Sequence, residues 1–175
     1  MRVEHLLNDF YDQHGYGEEG GINKKWDMIK FGPIALPLLN LESRRQNIYL
    51  HDISHLVTGF GITWLGESSV SSWEIASGGW KHLYFPWFLT LWAMAVGVMF
   101  YPSSTYKAFQ AGLQMNNALT GGLTKQQMYA MNLSELRQQL QRKKVAHRSY
   151  FQWAALSLLV WWSPVLFGVL IYQLL

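Results

Sequence analysis

Apolar residues recur along the chain mostly at helical spacing. Val3, Leu6, Leu7 and Phe10 fall three and four positions apart, which predicts a short amphipathic helix over residues 3–14. The stretch GYGEEGG ends that helix and reads as a loop. WDMIKFGPIALPLLN carries two prolines and a glycine, so an extended, packed segment is expected there rather than a helix. Asn40 is placed to cap a helix from Leu41 to Thr58, which Gly59 and Gly61 break. A second helix is expected from near Gly66 to Ser77, where SGG stops it.

Leu83 to Tyr106 contains no charge, and Pro102 ends its apolar run. Two amphipathic helical stretches follow, Thr105–Leu119 and Lys125–Arg142. The last 27 residues, from Ser149, are again uncharged. Strand-like alternation is scarce, and there is neither an internal repeat nor a low-complexity tract. The expected class is all-α, with a helical domain over residues 1–148 and a C-terminal transmembrane helix over 149–175.

Composition sharpens this picture. Half of the residues are hydrophobic and only 14% are charged, against about 25% in an ordinary soluble domain. Such a chain is suited to contact with a bilayer or an apolar ligand. Cysteine is absent, which excludes disulfides and thiolate metal sites and leaves His, Asp and Glu as metal ligands. The formal charge of +3 is small, and no basic-aromatic run resembles a nucleic-acid module, so nucleic acid is not an expected partner. Glu4, Asp9 and Asp12 stand where a signal peptide has its apolar core, so the first domain is expected to stay on the side where it is made.

A spanning helix needs about 20 apolar residues, and the C-terminal run meets that. Trp153, Trp161, Trp162 and Tyr172 are aromatics of the kind found at bilayer interfaces. RKKVAHR, just before the run, carries four positive charges in seven residues. By the positive-inside rule this flank is cytoplasmic and the C-terminus lies outside. The run Leu83–Phe100 holds Pro86 and Gly97 and is expected to be a core helix that touches or dips into the membrane.

The chemistry concentrates in LHDISHLVTGFGITWLGESSVSSWE, Leu50 to Glu74. Each helical residue turns by about 100°, so Asp52 lies about 100° and His55 about 40° from His51. Two imidazoles four residues apart can grip one cation from a single face, as in H-E-x-x-H zinc helices. Glu67 follows a glycine-rich turn that could fold the next helix back, and a carboxylate in so apolar a stretch is costly to bury without a partner. These ligand types suit zinc, iron or manganese and do not choose among them. Glu74, seven residues past Glu67, is either an exposed polar residue or a support behind the ligands. Arg44 and Arg45 lie two helical turns before His51 and Asp52, where they would orient a substrate carboxylate or phosphate or simply cover a solvated surface.

HDISHLVTGFGITWLGE, an H-D-x-x-H motif followed by eleven residues and a glutamate, resembles the signature of the Coq4 family of ubiquinone-biosynthesis proteins. HLVTGF is similar to that family's HVLTGY. PLLNLESRRQNIYLHD is similar to a bacterial Coq4-like branch with PNT-x-x-R before the motif. WEIASGG, YPSSTYKAFQAGLQMNNAL and MNLSELRQQLQ resemble the tryptophan–glutamate pair, the later helix and the closing L-x-E-L-R helix. The resemblance covers Leu38 to Leu140. It implies that His51, Asp52, His55 and Glu67 hold one divalent metal ion, zinc or iron. It further implies a helical, membrane-associated protein that binds isoprenoid lipids; with the basic flank and the N-terminus read above, the expected place is a bacterial inner membrane with the metal domain facing the cytoplasm. Its expected partners are membrane lipids, an isoprenoid quinone or precursor, and other membrane or quinone-pathway proteins. Oxidative decarboxylation at ring C1 is the activity linked to the family.

Other readings of the motif are a metalloprotease, a membrane desaturase and a noncatalytic accessory subunit. Asp52 is one methylene shorter than the glutamate base of H-E-x-x-H proteases, which would misplace a catalytic water. A desaturase needs further histidine boxes, and the four remaining histidines form none. An accessory or scaffold subunit of a membrane complex, retaining the metal site structurally, is the alternative to an enzyme.

Overall fold

The computed structural model describes residues 1–17, 26–31, 34–39 and 47–174. The described residues are predominantly helical. Helix α1, Val3–His14, buries Val3, Leu7 and Tyr11 at successive four-residue steps, and Gly15 closes it at φ 66°. An antiparallel hairpin follows, β1 Trp26–Phe31 and β2 Ile34–Leu39, with Trp26 opposite Leu39 and Phe31 opposite Ile34. The described residues remain mostly helical, consistent with the expected all-α class, with this short hairpin added to it. The two prolines and the glycine disfavour helix there, and strand pairing is one way for extended backbone to satisfy its N–H and C=O groups.

Helix α2, Ile48–Thr58, ends at Gly59, whose φ of 76° turns the chain while its N–H donates to the His55 carbonyl at 2.8 Å. The expected cap Asn40 and the expected turns over 41–46 lie outside the described residues. Helix α3, Trp64–Ala76, starts at Thr63, whose hydroxyl accepts from the Gly66 N–H. Gly66 touches the Gly61 backbone, and a side chain there would collide with it. That close approach sets how sharply α3 folds back from α2.

Helix α4, Tyr84–Phe100, is the uncharged run and holds Pro86 in its first turn, where no helical hydrogen bond is lost. Helix α5, Pro102–Gly112, starts three residues earlier than expected because Pro102 takes its first position. It stops at Gly112, which packs on the Trp73 carbonyl. The expected helix over Lys125–Arg142 is two helices, α6 Lys125–Ala130 and α7 Leu133–Leu140. Glu135 accepts from the Asn132 backbone N–H at 2.9 Å, restarting the helix at Asn132. Helix α8, Tyr150–Leu174, completes the chain and holds Pro164.

Helix α3 is central, and ten of its thirteen residues are buried, including four serines and Glu74. Ser69 donates to its own helix at Leu65 and Ser72 to the Thr105 carbonyl of α5, so buried hydroxyls keep partners. Gly97 lets α4 lie directly against Ser68 and Thr105. One apolar cluster joins α1, α2, α3, α6 and α7 through Leu7, Ile53, Trp73, Met128 and Leu136. A second joins the start of α8 to the bundle through Ile75, Met94, Phe109, Tyr150 and Ala154. Trp87 stacks on Trp153 and Trp92 on Trp161 along the α4–α8 seam. Helix α4 is thus a core helix, buried at Leu91, Met94 and Ala95 and exposed at Tyr84 and Phe88. Over Tyr150–Gln173, α8 is long and apolar enough to cross a membrane. From Trp162 on, its described side chains are exposed.

Candidate metal centre

The turn Gly59–Thr63 brings the first turn of α3 against α2, and three ligand-type side chains converge there. His51 Nε2 lies 3.2 Å from His55 Nε2 and 3.2 Å from Glu67 Oε2. His55 Nε2 lies 3.5 Å from Glu67 Oε1. Among the described residues His51, His55 and Glu67 form a group that could hold a metal ion.

Hydrogen bonds behind the two rings decide which nitrogens face inward. His55 Nδ1 is 2.9 Å from the Phe60 carbonyl, which can only accept, so Nδ1 carries the proton. His51 Nδ1 is 3.0 Å from Glu74 Oε1, which accepts in the same way. In the neutral rings both Nε2 atoms therefore present lone pairs to the same point, with a carboxylate beside them. Such an arrangement repels itself unless a cation or a proton sits between. Two ligand atoms each about 2.0 Å from zinc at the tetrahedral angle stand about 3.3 Å apart. His51 Nε2 stands at about that distance from His55 Nε2 and from one Glu67 oxygen, and with one ligand atom from each residue the three lie within 4.8 Å of one another, so the group could hold a single divalent ion.

The electrostatics agree. Burial opposes charge on His51, but Glu74 and Glu67 outweigh it and hold the imidazole pKa well above its ordinary value. Burial likewise pushes up on Glu67, yet hydrogen bonding to His51 and His55 outweighs it and brings the carboxyl down to about 2. In the metal-free chain a proton on His51 can thus take the cation's part. His55 keeps 3% of its side-chain surface exposed, against 23% for His51 and 29% for Glu67. The approach to the site is therefore from the His51–Glu67 side.

Asp52 is adjacent but differently engaged. Its carboxylate accepts from the Tyr11 hydroxyl of α1 at 3.0 Å, and it is not one of the three converging groups. Burial raises its pKa to about 6, opposed by the charges of His51 and His55 and by the Tyr11 bond. Glu74 is 1% exposed, and its Oε2 has no hydrogen-bond partner. It is buried beside His51 rather than exposed. Arg44 and Arg45 lie outside the described residues.

Sequence reasoning missed Tyr11, the Phe60 carbonyl and Phe10, whose ring stacks on His55 at 5.9 Å. Gly59 and Gly61 flank Phe60 and were the local signal for a tight turn there. Nothing local marks Tyr11, which meets Asp52 across 41 positions of sequence. No protein-family model, no curated protein and no solved structure matches this chain.

Proposed function

We propose that this chain is a Coq4-like, membrane-anchored metalloprotein that binds one divalent ion, zinc or iron, and acts on or presents isoprenoid quinone precursors. The observation that carries the metal reading is the convergence of His51 Nε2, His55 Nε2 and Glu67 with both rings locked from behind. The substrate class comes from the motif resemblance. It is supported by the apolar side chains near Glu67: Ile62 and Trp64 are half-buried, Leu65 is exposed, and Trp64 lies edge-on to Trp92 of α4. A polar ring approaching from the His51–Glu67 side would leave an isoprenoid tail along this surface.

A divalent ion at the site would supply Lewis-acid polarisation of a ring oxygen, or redox chemistry if it is iron. The chain's own residues do the rest. Phe60 and Glu74 fix which nitrogen of each imidazole faces the substrate side. Asp52, bonded to Tyr11, ties α1 to the ligand helix and places a carboxyl that titrates near neutrality beside the site.

In this reading α8 spans the bilayer with its basic flank and the metal domain on the cytoplasmic side, as at a bacterial inner membrane.

A second reading, a noncatalytic accessory or scaffold subunit, is favoured by the uncovered surface of α8, since Val165, Leu166 and Phe167 are all exposed and a partner helix could cover them. Mass spectrometry of extracted lipids, for the wild-type chain and the His51→Ala, His55→Ala variant, separates the two. The enzyme reading expects quinone precursors to accumulate in cells carrying the variant. An unchanged quinone profile, with the variant still in a stoichiometric membrane assembly, would establish the accessory role.

A further inference from the structure

Positive charge gathers at the foot of α8 with almost no acid to answer it. From residue 75 onward the chain carries eight lysines and arginines against one acid, Glu135. Glu135 is already engaged with the Asn132 N–H. Half of the eight, Arg142, Lys143, Lys144 and Arg148, fall within seven residues between α7 and α8.

Two of these four are built into the fold. Arg142 donates from Nε to Asn116 Oδ1 and from Nη2 to the Ser77 carbonyl, each at 2.8 Å. Arg148 donates from Nη1 to the Ile75 carbonyl at 2.7 Å. These acceptors are neutral, so the guanidinium charges are oriented without being neutralised. Burial lowers both pKa values, and the like charge of Arg148 lowers that of Arg142 further. Among the described residues no carboxylate pairs with either guanidinium.

Beside Arg142 opens a cavity of about 370 Å³. Arg142, Lys143, Gln114 and Gln141 are its polar lining residues, and Ala111, Met115 and Val145 its apolar ones. Its frame is hydrogen-bonded: Met115 bridges Gln141, the Arg142 N–H donates to the Gln114 carbonyl at 2.9 Å, and the Ala146 N–H donates to the Leu113 carbonyl at 2.9 Å. A polar lining with net positive charge suits a phosphate, and the apolar lining residues suit the glycerol and first methylenes of a lipid.

We propose that this cavity binds the phosphate of an anionic phospholipid at the foot of α8. The proposal rests on the reading that α8 enters the bilayer, with residues 142–149 on its N-terminal, basic flank. Basic residues in that position attract anionic lipid, and the cavity turns this attraction into a defined site.

The test uses the full chain in nanodiscs of phosphatidylcholine with a minority of phosphatidylglycerol, released into detergent for native mass spectrometry of retained lipid. Phosphatidylglycerol should be retained about fivefold above its share of the disc, the effect of roughly one engaged charge. Lys143→Gln should lower this, and Ala111→Phe, which fills the cavity and keeps every charge, should abolish it. Lys125→Gln, the same charge change on α6, should leave it intact. Equal retention of the two lipids overturns the proposal, as does enrichment that survives Ala111→Phe in a variant with unchanged melting temperature. If the chain does not enter nanodiscs, the spanning reading fails, and titration in detergent with dioctanoyl phosphatidylglycerol and with inorganic phosphate decides the cavity on its own. Binding of the lipid but not of phosphate supports it; equal binding of both, or of neither, overturns it.

Discussion

The Nε2 atoms of His51 and His55 stand 3.2 Å apart, each with its ring's other nitrogen already committed, to Glu74 and to Phe60 respectively. One divalent ion per chain is therefore the expected stoichiometry, measured by elemental analysis of protein purified without chelators. His51→Ala and His55→Ala should each abolish binding. Glu74→Gln keeps an acceptor for His51 but removes its charge, and should weaken metal binding by about 10- to 100-fold while leaving the stoichiometry at one. Competition against a chromophoric chelator reads both. Binding in Glu74→Gln as tight as in the wild type would sink the supporting role assigned to Glu74.

Metal and proton compete for the same site. Because the folded pKa of His51 is raised above 6.5, the protonated ring stabilises the metal-free fold fully below about pH 6.5, and that contribution is lost as pH rises through the raised value. The melting temperature of the metal-free chain should fall across that interval, and the metal-loaded chain should not show the fall. Asp52, with its pKa raised from 3.8 to about 6, acts in the same direction at lower pH. Its neutral form favours the fold, and stability is lost as it ionises between those values. Calorimetry in buffers of different ionisation enthalpy should show proton release on metal binding below the raised His51 pKa. No proton release there would contradict this account.

Gly66 meets the Gly61 backbone at the turn that carries Glu67 toward α2. Gly66→Ala must open that turn, since backbone cannot swing aside as a side chain can. Metal affinity should fall by more than tenfold, with helix content by circular dichroism close to wild type. Gly122→Ala is the informative control. Its added Cβ meets nothing within 4 Å and its φ is 78°, so its cost is local strain of about 1 kcal/mol, with no effect on the metal site.

The parts of the centre that could be read from sequence are the local ones. His51 and His55 declare themselves by a four-residue step on a helix. Glu67 does so as a lone carboxylate in an apolar stretch. Asp52 looked equivalent because it sits between the histidines, yet the 100° turn per residue that brings it near them also aims it toward α1. There it meets Tyr11, a contact no local pattern encodes. The break between α6 and α7 was legible, since Asn132 and Glu135 stand at capping-box spacing, but the apolar periodicity running through them masks it. The hairpin was legible only as extended backbone: its prolines disfavour helix without naming the strand that pairs.

Helix α8 offers the last test. Its first turns are held by the bundle, with Tyr150, Ala154 and Ser157 buried, whereas Val165, Leu166 and Phe167 are exposed. A core helix of a soluble domain would bury that second stretch, and one charge placed there should then cost stability. A spanning helix would bear the cost on insertion instead, about 2.5–3.5 kcal/mol for a central charge. Leu166→Arg should therefore shift the chain from the membrane pellet toward the soluble or degraded fraction. The three converging side chains lie on α2 and α3 and none on α8, so variant protein recovered in detergent should keep its metal stoichiometry. Ala154→Arg, at the buried start of the same helix, should instead unfold the packing around Met94 and Phe109 and lower the melting temperature in detergent. If Leu166→Arg leaves membrane fractionation unchanged, α8 does not cross the bilayer, and its exposed surface belongs to a protein partner.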